Sequence, residues 1–548
     1  MFSKTYNDDV SILDLVQDND VVAISGFNMA TTPEYLINQL YNRYHRSGHP
    51  KNLFIISDAL PAVPGRGLDH VAKQLYEEKS QDFLKGSLMP FLGFSPWFQK
   101  LVIDNRIECY GWPIGITAYW FREVASGRPG LLTKIGLDTF LDPRKDDAAL
   151  NELSRSRLSC RVEIIGLDGE DYLFYKAPKP NFALIRASFA DEMGNVSMKA
   201  EGIRGTVLSI AQATKARPAQ GKVVCQVRWI VKSGTINPRD VDIPFPLIDH
   251  IVISPGEYHW QTGSIYHDPR ISNEVVSPAN YDSDIVSMHN QTKMYEKVIA
   301  RRVTLELVGL ARQKKEPVLI NLGIGIPALI SSIVREENIA DVLVLVIESG
   351  PWGGVALSGN DFGLAMSSFA LSTIPDMFSN FEGGIVDAAS LGFLQIDKLG
   401  NVNPSMLPNR LFGAGGFPVI AGGVSKIFFA GSFTGGGKKE IDVNDKGIKI
   451  LQDGPINKFV ENVYKISFSG YQAAKWGQEI IYITERAVFR LDNTELVLEE
   501  IAPGIDIEKD ILLHMDFKPK IPTKIKEMDA RLFGKSPLNI KDDLKDFF

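Results

Sequence analysis

At 548 residues the chain exceeds what one hydrophobic core can organise, so two large domains or three to four ordinary ones are expected. Its 44% hydrophobic and 23% charged residues exclude the disordered and fibrous classes. A formal net charge of -7 leaves no basic footprint, and nucleic acid is not an expected partner.

Met1 to Asp9 carries no apolar stretch behind its positive charge and reads as no secretory signal. No apolar run approaches the ~20 residues of a membrane helix, so a cytoplasmic protein with no membrane partner is expected. Val21 to Phe27 reads as a short strand turning at Gly26, after which Thr32 is placed to cap a helix whose first position is Pro33. Phe182 to Phe189 is apolar and runs into Asp191-Glu192-Met193-Gly194-Asn195-Val196. An Asp-x-x-Gly-Asn-Val between two β runs suits a hairpin, with Asp bonding its own turn and Gly in the left-handed position.

Pro278 to Asn290 is polar and rich in turn formers, and Gln291 to Leu310 then spaces Val298, Ile299, Val303 and Leu307 as a helix does. Val318 to Ile330 repeats the first plan: strand, glycine turn at Gly323 and Gly325, helix opening at Pro327. The aliphatic run Val342 to Ile347 reads as a buried parallel strand breaking into Glu348-Ser349-Gly350-Pro351. Leu391 to Ile396 ends in Asp397-Lys398-Leu399-Gly400-Asn401-Val402, a second copy of the hairpin. The tail after Phe517, interrupted by Pro519, Pro522 and Pro537, reads as a surface extension.

The paired segments share order but not spacing. Pro33 and Gly194 are 161 residues apart, Pro327 and Gly400 only 73, so the first copy carries an insertion of 88 residues. A solenoid would keep a constant period, and a duplicated α/β domain is expected instead. The boundaries read as 1–280 for the first domain, 281–295 for a linker, 296–518 for the second and 519–548 for the tail.

Cys109, Cys160 and Cys225 lie far apart, and no His pair has metal-ligand spacing, so no metal is expected. Gly431 to Lys438 resembles a phosphate loop, but Ser432 and Lys439 stand where that loop needs Gly and Ser or Thr. It reads as a plain glycine turn. Leu411 to Phe417 is dense enough in glycine for backbone N–H groups to approach a ligand, or for a tight packed loop. Glu348 taken alone reads first as a helix cap or a partner for a surface lysine. Its second reading is a nucleophile displayed at the carboxyl end of a strand, where open α/β sheets bind ligands.

The ordered set NLGIGIP, IESGPWGG, DKLGNVN and GAGGF resembles the carboxyl-terminal half of family I CoA-transferases. Ser25-Gly26-Phe27, Pro33-Glu34, the segment Ile135 to Arg144 and the first Asp-x-x-Gly-Asn resemble the other half. The likeness extends over roughly residues 10 to 515 and is greatest to the single-chain acetate or propionate branch, in which the two halves are fused. It implies two homologous open α/β domains of the NagB/RpiA/CoA-transferase type. It implies a ping-pong transfer of CoA from an acyl-CoA to a small carboxylic acid through an acyl-glutamyl anhydride and a glutamyl-CoA thioester, with Glu348 as the nucleophile.

The same resemblance places Gly415, Gly416 and Phe417 in the oxyanion and CoA loop, and Ile114, Gly26, Phe27, Ser349, Gly350, Gly323 and Gly325 around the substrate. No cofactor beyond the CoA thioester is implied, and a homodimer or homotetramer is expected. Ile114 departs from the family, which has a Gln there, and makes the pocket more apolar. An acyl-CoA hydrolase or a CoA-binding pseudoenzyme are the alternative readings.

Overall fold

The computed structural model describes residues 6–7, 10–79, 82–275 and 292–544. The linker placed at 281–295 lies largely outside them, and its described end merges into a helix, Met294–Lys314.

Runs such as Val21–Ile24, Leu53–Ser57 and Phe182–Arg186 are buried along almost their whole length, as strands covered on both faces must be. They belong to an eight-stranded parallel sheet made of β1 (Tyr6–Asn7), β2 (Val21–Ile24), β3 (Leu53–Ser57), β4 (Leu84–Leu88), β5 (Glu108–Tyr110), β6 (Phe182–Arg186), β7 (Lys222–Val227) and β8 (His250–Ile253). Their spatial order is β1-β8-β7-β6-β2-β3-β4-β5. The second eight-stranded sheet holds β9 (Val318–Leu322), β10 (Leu343–Leu345), β11 (Ala388–Leu391), β12 (Lys426–Ala430), β13 (Glu479–Ile483), β14 (Ala487–Asp492), β15 (Glu495–Ile501) and β16 (Lys526–Glu527). Its order is β10-β9-β11-β12-β13-β14-β15-β16.

Five strands run in the same sequence in both sheets: β8-β7-β6-β2-β3 in one and β13-β12-β11-β9-β10 in the other. The duplication is therefore topological. The extra length of the first copy builds β4, β5 and a three-stranded antiparallel sheet of Leu131–Thr133, Arg161–Leu167 and Glu170–Lys176.

Both hairpins form as their residues dictate. Asp191 Oδ1 accepts the N–H groups of Met193, Gly194 and Asn195, and Asp397 Oδ1 accepts those of Leu399 and Asn401. Gly194 and Gly400 take φ of 97° and 75°, a region most side chains avoid.

Three local expectations are corrected. Thr32 does not cap its helix: its hydroxyl donates to Asn28 O at 2.6 Å, and Pro33 itself occupies the cap of Glu34–Ser47. The second copy begins its helix as a 3₁₀ turn, Ile326–Leu329, before Ile330–Glu336. The run Val342 to Ile347 gives only a short edge strand, Leu343–Leu345, because Ala340–Val342 is a 3₁₀ turn.

The chain divides into two compact units, and they do not follow chain order. One holds Met1–Ser277, Glu348–Ser379 and Leu407–Val419; the other holds Pro278–Ile347, Asn380–Met406 and Ile420–Phe548. The 296–518 segment expected as one domain thus gives two excursions to the first unit.

The tail expected as a surface extension is docked in the second unit. Leu532, Phe533, Leu538, Ile540 and Leu544 are buried, and Arg301 on helix Met294–Lys314 donates to the carbonyls of Leu532 (3.2 Å), Gly534 (2.6 Å) and Ser536 (2.8 Å). Glu337 accepts the N–H groups of Leu538 and Ile540. A wholly buried guanidinium needs such acceptors, and each charged hydrogen bond lost costs ~1.5–3 kcal/mol. Arg301→Ala is therefore expected to lower Tm and to expose residues after about 518 to protease; equal Tm and cleavage in both proteins would contradict the docking.

Candidate functional site

The first unit brings Glu348 together with the loop that follows β2. That loop, residues 25–31, is closed by paired backbone bonds between Phe27 and Ala30 (2.9 and 3.0 Å). The Ser25 hydroxyl donates to Thr31 O at 2.7 Å. Asn28 and Thr31 adopt φ of 55° and 57°. Left-handed backbone costs non-glycine residues on the order of 1 kcal/mol or more, and it persists only where the surroundings fix it.

Across from the loop runs the excursion Glu348–Ser379. Asn28 Nδ2 donates to Phe362 O at 2.9 Å, and a Cβ on Gly363 would lie 2.1 Å from Phe27 Cε1. The Ser349 hydroxyl donates to Gly363 O. Contacts thus run from Phe27 through Gly363 to Ser349, the neighbour of Glu348. Glu348 is 8% exposed and sits in the turn after β10; Ser349 is buried. Gly350, at φ 133°, lies so close to Ser372 O that a Cβ would meet it at 2.2 Å. Asp361, also buried, accepts the Thr262 hydroxyl at 2.6 Å and the Ser264 N–H at 2.8 Å, tying the excursion to residues 262–264.

Ile114 and the glycine loop meet directly. Ile114 opens helix Ile114–Ala125, is 3% exposed, and its N–H donates to Gly415 O at 2.9 Å. Gly415 N–H is itself committed to Pro90 O, also at 2.9 Å. Gly416 is buried, and Phe417 begins the short helix Phe417–Gly423. Gly323 and Gly325 lie in the second unit, where Gly323 N–H donates to Ser390 O at 2.8 Å.

The sequence reading missed Asn28, Asp361, Phe362 and Gly363. Gly359-Asn360-Asp361-Phe362-Gly363 carried a signal, two glycines around a turn-forming Asn-Asp shortly after Glu348. It missed Asp58 as well, a wholly buried carboxyl at the end of β3. Burial lifts Asp58 to about 6, against the Thr206 hydroxyl and the Gly26 and Ala59 N–H groups, which favour its charged form.

Behind the loop lies a buried polar cluster. Arg186 donates from Nη2 to Glu201 Oε2 at 2.9 Å, from Nε to Glu201 Oε1 at 3.3 Å, and from Nη1 to Met29 O at 3.1 Å. His259 Nε2 lies 3.2 Å from Glu201 Oε1, and Nδ1 lies 3.3 Å from Ser254 Oγ. Burial alone would favour a neutral Glu201, but the charge of Arg186 and the bond from His259 hold it down at about 2. Burial, with the charge of Arg186, pushes His259 down to about 4. The pair is thus carboxylate and neutral imidazole, with the ring proton on Nε2 facing Glu201.

This cluster has an acid signature. As pH falls, an unfolded histidine takes its proton near 6.5 while folded His259 resists until about 4. The contribution of the neutral His259 to stability is fully present above pH ~6.5 and is lost progressively as pH falls toward ~4. His259→Gln is expected to flatten the fall in Tm over that window; an identical pH profile would contradict the neutral histidine.

Among the described residues no group of three or more His, Cys, Asp or Glu could hold a metal ion, and no helix is long and apolar enough to cross a membrane. The three cysteines are buried and unbridged.

A sequence model of the coenzyme A transferase family matches residues 9–254. Over 527 residues the chain is 35% identical to a caffeate CoA-transferase of Acetobacterium woodii, covering 95% of each chain. It is 34% identical over 514 residues to acetate CoA-transferase YdiF of Escherichia coli strain K12, covering 93% of this chain and 90% of that one. The crystal structure of the acyl-CoA transferase YdiF of E. coli O157:H7 in thioester complex with CoA superposes with a TM-score of 0.85 at 31% identity, covering 98% of this chain and 97% of that one.

Proposed function

Because the chain belongs to the coenzyme A transferase family, we propose that its reaction runs through Glu348 as a covalent nucleophile. The chain is a CoA-transferase with an acyl-CoA and a carboxylic acid as substrates. The observation that carries the assignment of Glu348 is its place, a buried carboxyl group in a tight turn whose next residue is linked through Gly363 to Phe27. The thioester complex of the YdiF relative supports a covalent course.

The Glu348 carboxylate attacks the thioester carbonyl of the donor; the C–S bond breaks and CoA leaves as thiolate, giving an acyl-glutamyl anhydride. The thiolate then attacks the glutamyl carbonyl carbon, the donor acid departs as carboxylate, and a glutamyl-CoA thioester remains. The acceptor carboxylate attacks this thioester and releases the thiolate, which takes the acyl group from the second anhydride and restores Glu348. Each tetrahedral step develops an oxyanion, and a backbone donor placed for it contributes ~3 kcal/mol. The backbone donors assigned to the oxyanion are those of Gly416 and Phe417, where the glycine loop enters helix Phe417–Gly423.

An anhydride must be kept from water, which a buried turn favours. The chemistry uses carboxylate and thiolate alone, so no cofactor beyond the CoA thioester is assigned. Gly26, Phe27, Ser349 and Gly350 are assigned to the substrate surroundings, as are Gly323 and Gly325. Residues 1–280 and 296–518 are assigned as the duplicated halves, and the active form as a cytoplasmic homodimer or homotetramer.

Ile114 sets the acid preferred. An apolar wall beside the Gly415 loop gains ~1 kcal/mol per methylene buried, favouring longer or bulkier acyl groups over acetyl. The caffeate CoA-transferase among the relatives is named for a bulky acid. Initial rates with acyl groups from acetyl to hexanoyl are expected to give parallel double-reciprocal lines and to rise with chain length, and Ile114→Gln should flatten that rise. Intersecting lines would overturn the covalent course, and a wild type that favours acetyl would overturn the role of Ile114.

A further inference from the structure

We propose that Arg186, paired with a Glu201 carboxylate that His259 also bonds, is a positioning residue for CoA transfer: it sets the loop 25–31 against the segment that carries Glu348. This rests on the reading of Glu348 as the nucleophile. The cluster makes no contact the chemistry requires, since Arg186, Glu201, Ser254 and His259 are all 5% exposed or less. A buried ion pair is also a poor device for stability alone, because desolvation offsets most of its attraction. Its connections point elsewhere.

From one side of the pair, Arg186 Nη1 reaches Met29 O, two residues beyond Phe27. The Arg186 backbone N–H also donates to Ser25 Oγ at 3.2 Å, and that hydroxyl bonds Thr31 O. Arg186 therefore holds the loop at its start through its backbone and at its middle through its guanidinium, while Ser25 ties the start to the end. The two left-handed residues, Asn28 and Thr31, are the strain such bracing would sustain.

From the other side, Glu201 opens a segment that grips the Glu348 excursion. A Cβ on Gly202 would lie 2.6 Å from Leu364 Cδ2, and Gly205 O accepts the Ile374 N–H at 3.1 Å. Glu201 Oε1 is shared by Arg186 Nε and His259 Nε2, and Ser254 bonds the far ring nitrogen, so the carboxylate cannot turn. The bidentate pair thus joins the two elements whose approach places Phe27 and Asn28 on Gly363 and Phe362.

Arg186→Lys keeps the charge but cannot form the fork and reach Met29 O together. It is expected to lower kcat for CoA transfer at least about tenfold while KM for acyl-CoA stays within about twofold, and His259→Gln to lower kcat about threefold in the same pattern. Both are assayed well below their own Tm, with the rate of CoA attachment to Glu348 followed by intact mass in a single turnover. A kcat within twofold of wild type in either folded variant, whatever its Tm, overturns the proposal; if Arg186→Lys does not fold, His259→Gln decides alone. Wild type that forms the Glu348 adduct while the variants form it equally fast overturns this inference only. Wild type that transfers CoA without any adduct overturns the Glu348 reading and this inference with it.

Discussion

Glu348→Ala is expected to reduce CoA exchange by more than about 10³-fold, because no other side chain in the scheme can carry the covalent intermediate. Far-ultraviolet circular dichroism and Tm should report a folded protein, since the turn around it has several ties besides any its own side chain makes. Those are Ser349 on Gly363 O, the Ser372 N–H on Gly350 O at 2.9 Å, and Trp352 Nε1 on Ser372 Oγ at 2.9 Å. A folded variant retaining a tenth of wild-type exchange would remove Glu348 from the mechanism.

Gly363→Ala should be nearly as damaging, for a geometric reason. Gly363 has φ of 95°, and an added methyl would sit 2.1 Å from Phe27 Cε1, so both the backbone and the Phe27 ring must yield. A ~1 Å misplacement passed on to the reacting groups typically costs on the order of 10²-fold in rate, and Phe27 is proposed to lie beside the substrate. Gly359 provides the control, because it too has a positive φ, 62°, but open space around it. Gly359→Ala should pay only backbone strain and leave kcat/KM within about threefold. Equal losses at the two positions would show that strain, rather than the Phe27 contact, matters.

Much of this was written locally in the chain. Asp191 and Asp397 bond their own turns whatever surrounds them, so a six-residue pattern sufficed to find both hairpins and the duplication they mark. The apolar runs Val21–Ile24 and Phe182–Arg186 read as β structure, and both are strands buried along almost their whole length. The Glu348 turn and the glycine loop also showed in sequence, since tight turns restrict residue choice at each position.

What escaped was non-local. Asn28 and Phe362 are 334 positions apart, and nothing in either neighbourhood announces that an amide on one will meet a carbonyl on the other. The same distance hid the transfer of Glu348–Ser379 into the first compact unit. The tail misled differently: a segment broken by Pro519, Pro522 and Pro537 reads as a surface extension, and nothing in it announces that three of its carbonyls converge on the buried Arg301. Arg186 and Glu201 are separated by 15 residues and a hairpin, a spacing that no helix or strand period selects.

Covalent catalysis by Glu348 is decided by incubating the protein with an acyl-CoA in the absence of acceptor, quenching with acid, and locating the product by intact and peptide mass. Wild-type protein is expected to become heavier by CoA less one water, with the added mass on the peptide containing Glu348 and absent in Glu348→Ala. Wild type that exchanges CoA at full rate yet carries no such mass, or carries it on another residue, would contradict covalent catalysis by Glu348.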